Sequence, residues 1–270
     1  MGLETTRFRI TPGKRSHLAD RDPADTSAFA DRDDAEAKLD EHAKAIDAVQ
    51  ERLYAEGERA LLVVLQGTDT SGKDGTIRHA FANTSPLGIS VTAFGKPNQR
   101  ELAHDFLWRV HRSCPRRGTI GLFNRSHYED VLVARVEELA SHWEIENRYR
   151  QINDFERMLT ENGTTIIKLM LHISKAEQRE RLQARLDKPH KRWKFDHSDI
   201  DARDRWDAYL AAYETMLDRC STEWAPWYVI PSDHKWARNA LAAAIIRETL
   251  EKMDPQPHQP DWDPADITIR

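Results

Sequence analysis

The sequence predicts an α/β fold, a doubly wound parallel sheet of five strands built around a phosphate-binding loop, and three observations carry that prediction. Ala60 to Leu65 is an unbroken apolar run, as a strand buried on both faces requires. Gly67 to Lys73 follows with the spacing G-x-x-x-x-G-K, in which glycines let backbone N–H groups converge on phosphate oxygens while the lysine reaches the outer phosphates. Four more short strand-like runs then alternate with helical segments, the pattern of a parallel sheet with crossover helices.

Met1 to Asp31 is polar and shows no helical or strand period, so residues 1–32 are expected to be extended or partly disordered along the surface. Residues 33–254 form the expected single domain. Leu39, Ala43, Ile46, Val49 and Leu53 recur at three and four residues between Asp33 and Gly57, which predicts an amphipathic helix. Its apolar face either packs on the domain or makes an oligomer contact. After the first strand, Gly67, Thr70, Ser71, Gly72, Lys73, Gly75 and Thr76 make up the phosphate loop and the start of its helix, whose positive N-terminus favours an anion. Two acids modify it. Asp74 stands where Ser or Thr usually offers a hydroxyl to magnesium, and Thr76 is too far along to replace it. Asp69, inside the loop, would repel phosphate unless a metal ion or a transferred proton lay between them, so Asp69 reads as a chemical residue and the candidate metal ligand.

Ile89 to Phe94 is the second strand, and Lys96 follows its carboxyl end, the edge where open α/β sheets bind ligands. Gln99 to His111 reads as a helix with Leu102, Phe106 and Val110 inward, followed by a basic run, Arg109, Arg112, Arg116 and Arg117, that is either a solvated face or a phosphate contact. Thr119 to Phe123 is the third strand. Asn124 then occupies the position where many phosphate-loop enzymes carry a magnesium-binding Asp, Arg125 is placed to stabilise a transferring phosphoryl group, and Glu129 or Asp130 to orient metal or nucleotide; His127 reads as loop packing. Ile145 to Asn162 is a helix with Ile152, Phe155 and Leu159 inward, and Thr164 to Ile173 is the fourth strand. Ser174 and Glu177 begin a further helix as a capping box, which Pro189 interrupts. The basic and aromatic stretch His190 to Phe195, with Lys191, Arg192 and Lys194, is a nucleic-acid patch, a solvated turn or a lid. Its place after a phosphate-loop core favours a lid over about 185–205. Ile200 to Cys220 reads as one helix with Arg203 on its early turns and Trp206, Tyr209, Tyr213 and Met216 at core spacing. Trp227 to Pro231 is the fifth strand, and a last helix, Ala237 to Met253, precedes an irregular tail, 255–270.

Composition narrows the function. The 270 residues carry a net charge of −5, which argues against a general nucleic-acid binder and requires local cations for any polyanion. No apolar run approaches the roughly 20 residues that span a bilayer, and the amino terminus shows no charged-then-apolar leader pattern, so a cytoplasmic protein with no membrane partner is expected. Gly2 and Thr6 match the N-myristoylation spacing, a short pattern that recurs by chance. Cys114 and Cys220 lack metal-ligand spacing and read as reduced structural thiols.

The blocks GTDTSGKDGT, FGKPNQRE, GLFNRSHYEDVLV and KRWKFDHSDIDARDRWDAY resemble, in this order, the polyphosphate kinase 2 family, over about Leu39 to Glu251. The resemblance implies a P-loop kinase-like core similar to thymidylate kinases with a helical lid, transferring phosphoryl groups between inorganic polyphosphate and the adenine nucleotides AMP, ADP and ATP with Mg2+. It implies that Asp69, Lys73 and Arg125 are catalytic, that Arg192, Lys194 and Arg203 assist from the lid, and that the chain assembles as a homodimer or homotetramer. Asn124 departs from the Asp of other branches, and NRSHYED resembles the branch accepting both AMP and ADP. Phosphoryl transfer needs positioning and charge neutralisation more than covalent catalysis, and no Ser/His/Asp or Cys/His arrangement competes. The alternatives are an ATP-dependent nucleotide or small-molecule kinase and a non-catalytic nucleotide-binding regulator.

Overall fold

The computed structural model describes residues 4–259, 261, 263 and 266–269; Gly2, and with it the myristoylation pattern, lies outside them. All five expected strands are present: β1 (Ala60–Gln66), β2 (Ile89–Ala93), β3 (Ile120–Asn124), β4 (Thr164–His172) and β5 (Trp227–Pro231). They pair in the order β2-β3-β1-β4-β5, and every pairing is parallel. With neighbours on both sides and helices on both faces, all seven residues of β1 are buried, as its unbroken apolar run requires. From β1 the chain goes to one side for β2 and β3, then crosses to the other for β4 and β5. The loops leaving β1 and its neighbours therefore part at the carboxyl edge, where doubly wound sheets bind ligands.

The first helix, α1 (Arg32–Glu56), starts at Asp31, whose side chain accepts from Asp34 N–H, and ends at Gly57 with φ 71°. Its apolar face packs on α2 (Lys73–Ala80) and α10 (Lys235–Met253), so it serves the domain's own core. Gln99 to His111 is two short helices, α3 (Gln99–Leu102) and α4 (Trp108–His111). Between them Asp105 turns its carboxylate onto the Leu107 N–H, an Asx turn that competes with helix, and Leu102 is left exposed. A short turn, α5 (Val133–Val136), leads to α6 (His142–Glu161), which opens with a capping box of Ser141 and Glu144. Helix α7 (Lys175–Asp187) runs into a 3-10 turn, Pro189–Lys194, and then α8 (Ser198–Asp204) and α9 (Trp206–Cys220). The single helix expected over 200–220 breaks at Arg205, whose guanidinium binds Glu137 and the Val136 carbonyl. Among the described residues, no helix is long and apolar enough to cross a membrane.

The segment 4–31, expected to be extended or partly disordered, is irregular but docked. Phe8, Ile10, Leu18 and Phe29 are buried. Ile10 N–H donates to Trp227 O at 2.8 Å, and Arg9 bridges to Tyr228, so the segment covers the outer edge of β5 and shields its unpaired backbone groups. Its apolar residues are too widely spaced to produce a period. Cys114 and Cys220 are both free, and burial pushes each thiol up to about 12.

Candidate active site

The phosphate loop takes a conformation that its glycines permit. Gly67 and Gly72 have φ of 151° and 105°. A Cβ at Gly67 would stand 2.7 Å from the Leu171 carbonyl oxygen, and one at Gly72 only 1.9 Å from Arg238 Nη1. Two arginines hold the loop by its carbonyls. Arg181 on α7 donates to Thr70 O (3.0 Å) and Ser71 O (3.3 Å), and its other terminal nitrogen donates to Ser232 O and Asp233 O beyond β5. Arg238 on α10 donates to Ser71 O at 3.0 Å, and burial followed by the charge of Arg181 pushes its pKa down to about 9. Sequence reasoning missed both residues. Arg181 looks like any helix arginine, although Arg238, within a largely apolar helix, carried a readable signal.

With those carbonyls occupied, the hydroxyls of Thr68, Thr70 and Ser71 are buried without a hydrogen-bond partner in the protein, and so are open to water or to a ligand. Lys73 is buried, and its ammonium donates to Gly67 O at 2.7 Å and Thr68 O at 3.3 Å. Burial and then the nearby Arg125 charge push it down to about 8. Gly75 and Thr76 play packing parts: a Cβ on Gly75 would meet Arg238 at 3.1 Å, and the Thr76 hydroxyl donates back to Gly72 O.

Across from the loop stands the turn after β3. Arg125 has a left-handed backbone, φ 62°, and its N–H donates to Leu65 O. Its guanidinium donates to Asp69 Oδ1 at 2.5 Å and lies 3.5 Å from Glu129 Oε2. Burial opposes its charge, but Glu129 and Asp69 outweigh that effect and hold its pKa above the usual value. Gln66, at the end of β1, donates to Glu129 at 2.8 Å and accepts from Ser126 at 3.2 Å. The Asn124 amide donates to Asp74 Oδ1 at 2.6 Å, and Lys194 of the 3-10 turn after α7 lies 3.5 Å from Asp74 Oδ2. Asp74 thus joins the loop helix, the β3 turn and the turn after α7. Asp130 sits behind the turn, 3.9 Å from both Arg109 and Arg148; burial raises its carboxyl against the pull of the two arginines.

The basic run of the sequence does not stay together. Arg109 is buried and donates to Gly95 O at 2.9 Å, which makes it a brace for the loop after β2 and corrects its expected phosphate contact. Arg112 lies over the Trp108 ring at 4.6 Å. Arg116 and Arg117 precede β3 and so lie at the amino edge of the sheet, opposite the loop, with Arg116 over Tyr54 of α1. Their expected phosphate contact is therefore corrected: the chain from α4 to β3 carries these cations away from the ligand edge. Lys96 is exposed at that edge, with its charge near lid Asp196. In the 3-10 turn after α7, the expected lid, Lys191, Arg192 and Lys194 are exposed, with Arg192 donating to Leu186 O. Arg203 donates to Gln178 Oε1 at 3.2 Å, and Gln178 in turn donates to Asp69 O at 3.3 Å.

Among the described residues no three His, Cys, Asp or Glu side chains converge as a metal set. Two carboxyls do meet, Asp69 and Asp199 of α8, within hydrogen-bonding reach of each other. Burial and then the charge of Asp69 raise the Asp199 carboxyl, while Arg185 pulls it down. A pair of facing acids beside a phosphate loop fits a hard cation that takes one or two carboxylates and completes its shell with phosphate and water. Asp199 was missed in the sequence because it stands among several acids of the lid.

A family model described as Polyphosphate kinase 2 matches residues 29–258. The chain is 50% identical over 266 residues to an AMP/ADP-polyphosphate phosphotransferase of Meiothermus ruber, covering 97% of this chain and 99% of the relative. It is 38% identical to an ADP-polyphosphate phosphotransferase of Rhodopseudomonas palustris, covering 94% and 92%. The crystal structure of polyphosphate kinase 2 from Arthrobacter aurescens superposes with a TM-score of 0.94 at 40% identity, over 98% of this chain and 96% of that one.

Proposed function

The chain belongs to the polyphosphate kinase 2 family, and from that premise we propose that it transfers phosphoryl groups from inorganic polyphosphate to both AMP and ADP, giving ADP and ATP. The observation that carries the reading is a phosphate loop with Lys73 folded onto its carbonyls and Asp69 within it, faced by Arg125, which reaches across to Asp69. The similarity to a relative named for both acceptors supports the dual acceptor, as does the uncharged Asn124 beside Glu129.

In this reading the backbone N–H groups of the loop, the hydroxyls of Thr68, Thr70 and Ser71, and Lys73 hold one phosphate chain. Arg125 exchanges Asp69 for the transferring group, stabilising charge on its oxygens with a donor already in place. Arg181 and Arg238 keep the loop carbonyls turned away, so that the N–H groups face the anion. Lys96 and the lid cations Lys191, Arg192 and Lys194 neutralise the donor chain from the two sides of the cleft, and Gln178 with Arg203 steadies the Asp69 backbone. Asp69, with Asp199 opposite, would hold Mg2+, which supplies neutralisation of the phosphate oxygens when bound. Asn124, Glu129 and Asp130 shape the acceptor side. A homodimer or homotetramer belongs to the same reading and is checked by light scattering.

Steady formation of ADP from AMP, and of ATP from ADP, with polyphosphate as sole donor and no ATP added tests the function. Turnover only with ATP would replace it by an ATP-dependent kinase.

A further inference from the structure

Directly behind the turn that carries Arg125 lies a cluster of charge that the transfer reaction does not touch. Lys168, in the middle of β4, and Glu156, on α6, are completely buried and paired at 2.5 Å. Lys168 also donates to the Tyr128 hydroxyl (2.8 Å) and to Cys220 O (2.7 Å), so all three of its protons are placed. The second oxygen of Glu156 accepts from the Tyr128 hydroxyl at 2.9 Å and from His127 Nε2 at 3.2 Å. His127 and Tyr128 belong to the turn itself and are also completely buried, with Phe155 and Trp227 as edge-on aromatic walls. Burial and the Glu156 charge hold the Tyr128 hydroxyl protonated well beyond its ordinary range, so it can accept from Lys168 and donate to Glu156 at once.

Stability alone does not require an ion pair at such a place. A buried ion pair is often replaceable by well-packed apolar residues of similar volume at no loss of stability. The turn does call for it. Arg125 holds a left-handed backbone that a non-glycine residue keeps only where its surroundings over-determine it. Ser126 and Glu129 are fastened to Gln66 on one side, and His127 and Tyr128 to Glu156 and Lys168 beneath.

We propose that Glu156 and Lys168, acting through His127 and Tyr128, are positioning residues that hold Arg125 and Glu129 in the geometry required for phosphoryl transfer. The inference rests on the reading of this site as a polyphosphate-dependent nucleotide kinase. Removing the pair leaves the fold and the phosphate loop in place but lets the Arg125 turn relax, so it lowers kcat more than it raises the KM for ADP.

The test compares Glu156→Leu/Lys168→Met in two backgrounds, Arg125 and Arg125→Lys, by kcat, KM for ADP and thermal midpoint. The expected result is a folded double variant whose kcat falls by about tenfold or more while KM for ADP shifts by less than about threefold. In the Arg125→Lys background the same pair of substitutions should cost less than about threefold, because the aimed guanidinium is already gone. Equal losses in both backgrounds, or a folded variant with kcat within about twofold of the parent, would overturn the inference. Should the double variant fail to fold, Tyr128→Phe, which removes a single hydroxyl and keeps the ion pair, takes the same two comparisons with the same criteria. Failure of the functional reading shows in the unmodified chain, as no turnover with polyphosphate, and overturns both claims; failure of this inference shows in the variants alone.

Discussion

Binding of a phosphate chain should draw a proton into the site in mildly alkaline solution, because Lys73 is partly deprotonated while it lies on the loop carbonyls. Its pKa is pushed down to about 8 by burial and by Arg125. About nine-tenths of the chains therefore carry the charged ammonium at about pH 7, and about one-tenth at about pH 9. A polyanion binds the charged form, so saturating the site with inorganic triphosphate should take up about 0.1 proton at about pH 7 and about 0.9 at about pH 9. Calorimetric titrations in two buffers of different ionisation enthalpy measure that number directly. Lys73→Arg, which keeps its charge throughout, should take up almost none. Uptake near zero at the higher pH, or equal uptake in the Arg variant, would refute the buried-ammonium account. The same shift fixes the sign of the pH dependence of stability. A lysine depressed from 10.5 to about 8 is neutral when folded but charged when unfolded between those values, so its contribution makes the protein more stable as pH rises through that window, by at most about 3 kcal/mol, and Lys73→Met should lose that slope.

Four further outcomes are expected. Asp69→Asn should abolish turnover; a rate that collapses while the magnesium titration stays that of the parent would remove the metal-holding role, and a normal rate would remove Asp69 from the chemistry altogether. Replacing Arg192 and Lys194 by Ala should weaken polyphosphate binding and flatten its salt dependence while changing ADP affinity much less, since each lost phosphate contact removes a released counterion; an unchanged salt slope would return both residues to a solvated lid. Gly72→Ala puts a Cβ in a left-handed position 1.9 Å from Arg238 Nη1, and should cost about 1–3 kcal/mol in chemical denaturation along with most turnover; parental stability would show that the Arg238 contact is easily moved. AMP and ADP should both be phosphorylated, and conversion of ADP alone across a wide AMP range would limit the chain to one acceptor.

The fold was legible because its signals are local. The apolar runs of β1 and β4, the G-x-x-x-x-G-K spacing and the capping residue Ser174 each act within a few positions, and each element appears close to where those residues put it. What escaped was set by contacts distant in sequence. The 28 residues from Glu4 to Asp31 look structureless because their apolar anchors meet β5 more than two hundred positions away. Arg109, Arg112, Arg116 and Arg117 look like one cluster because sequence proximity hides that a segment crossing from one edge of a sheet to the other separates its own ends. Arg181, Arg238, Glu156 and Lys168 carry no motif, since their partners are backbone carbonyls or residues of other elements.

Three cations of the site are held by groups of the chain itself. Lys73 lies on the carbonyls of Gly67 and Thr68, Arg125 on Asp69, and Lys194 near Asp74. In the proposed reaction substrate binding is an exchange of partners: phosphate oxygens, stronger acceptors than a neutral carbonyl, replace the carbonyls that Lys73 holds, and compete with the carboxylates that Arg125 and Lys194 hold. Two consequences follow for a protein of net charge −5. The cations are anchored by partners within the chain, which limits the reorganisation that transfer demands. And when Arg125 turns to a phosphoryl group in the proposed reaction, Asp69 loses its closest counter-charge while Asp199 still faces it. Two facing carboxyls beside a phosphate chain repel both each other and the substrate, and relief of that repulsion is the physical argument for the divalent cation proposed at this site.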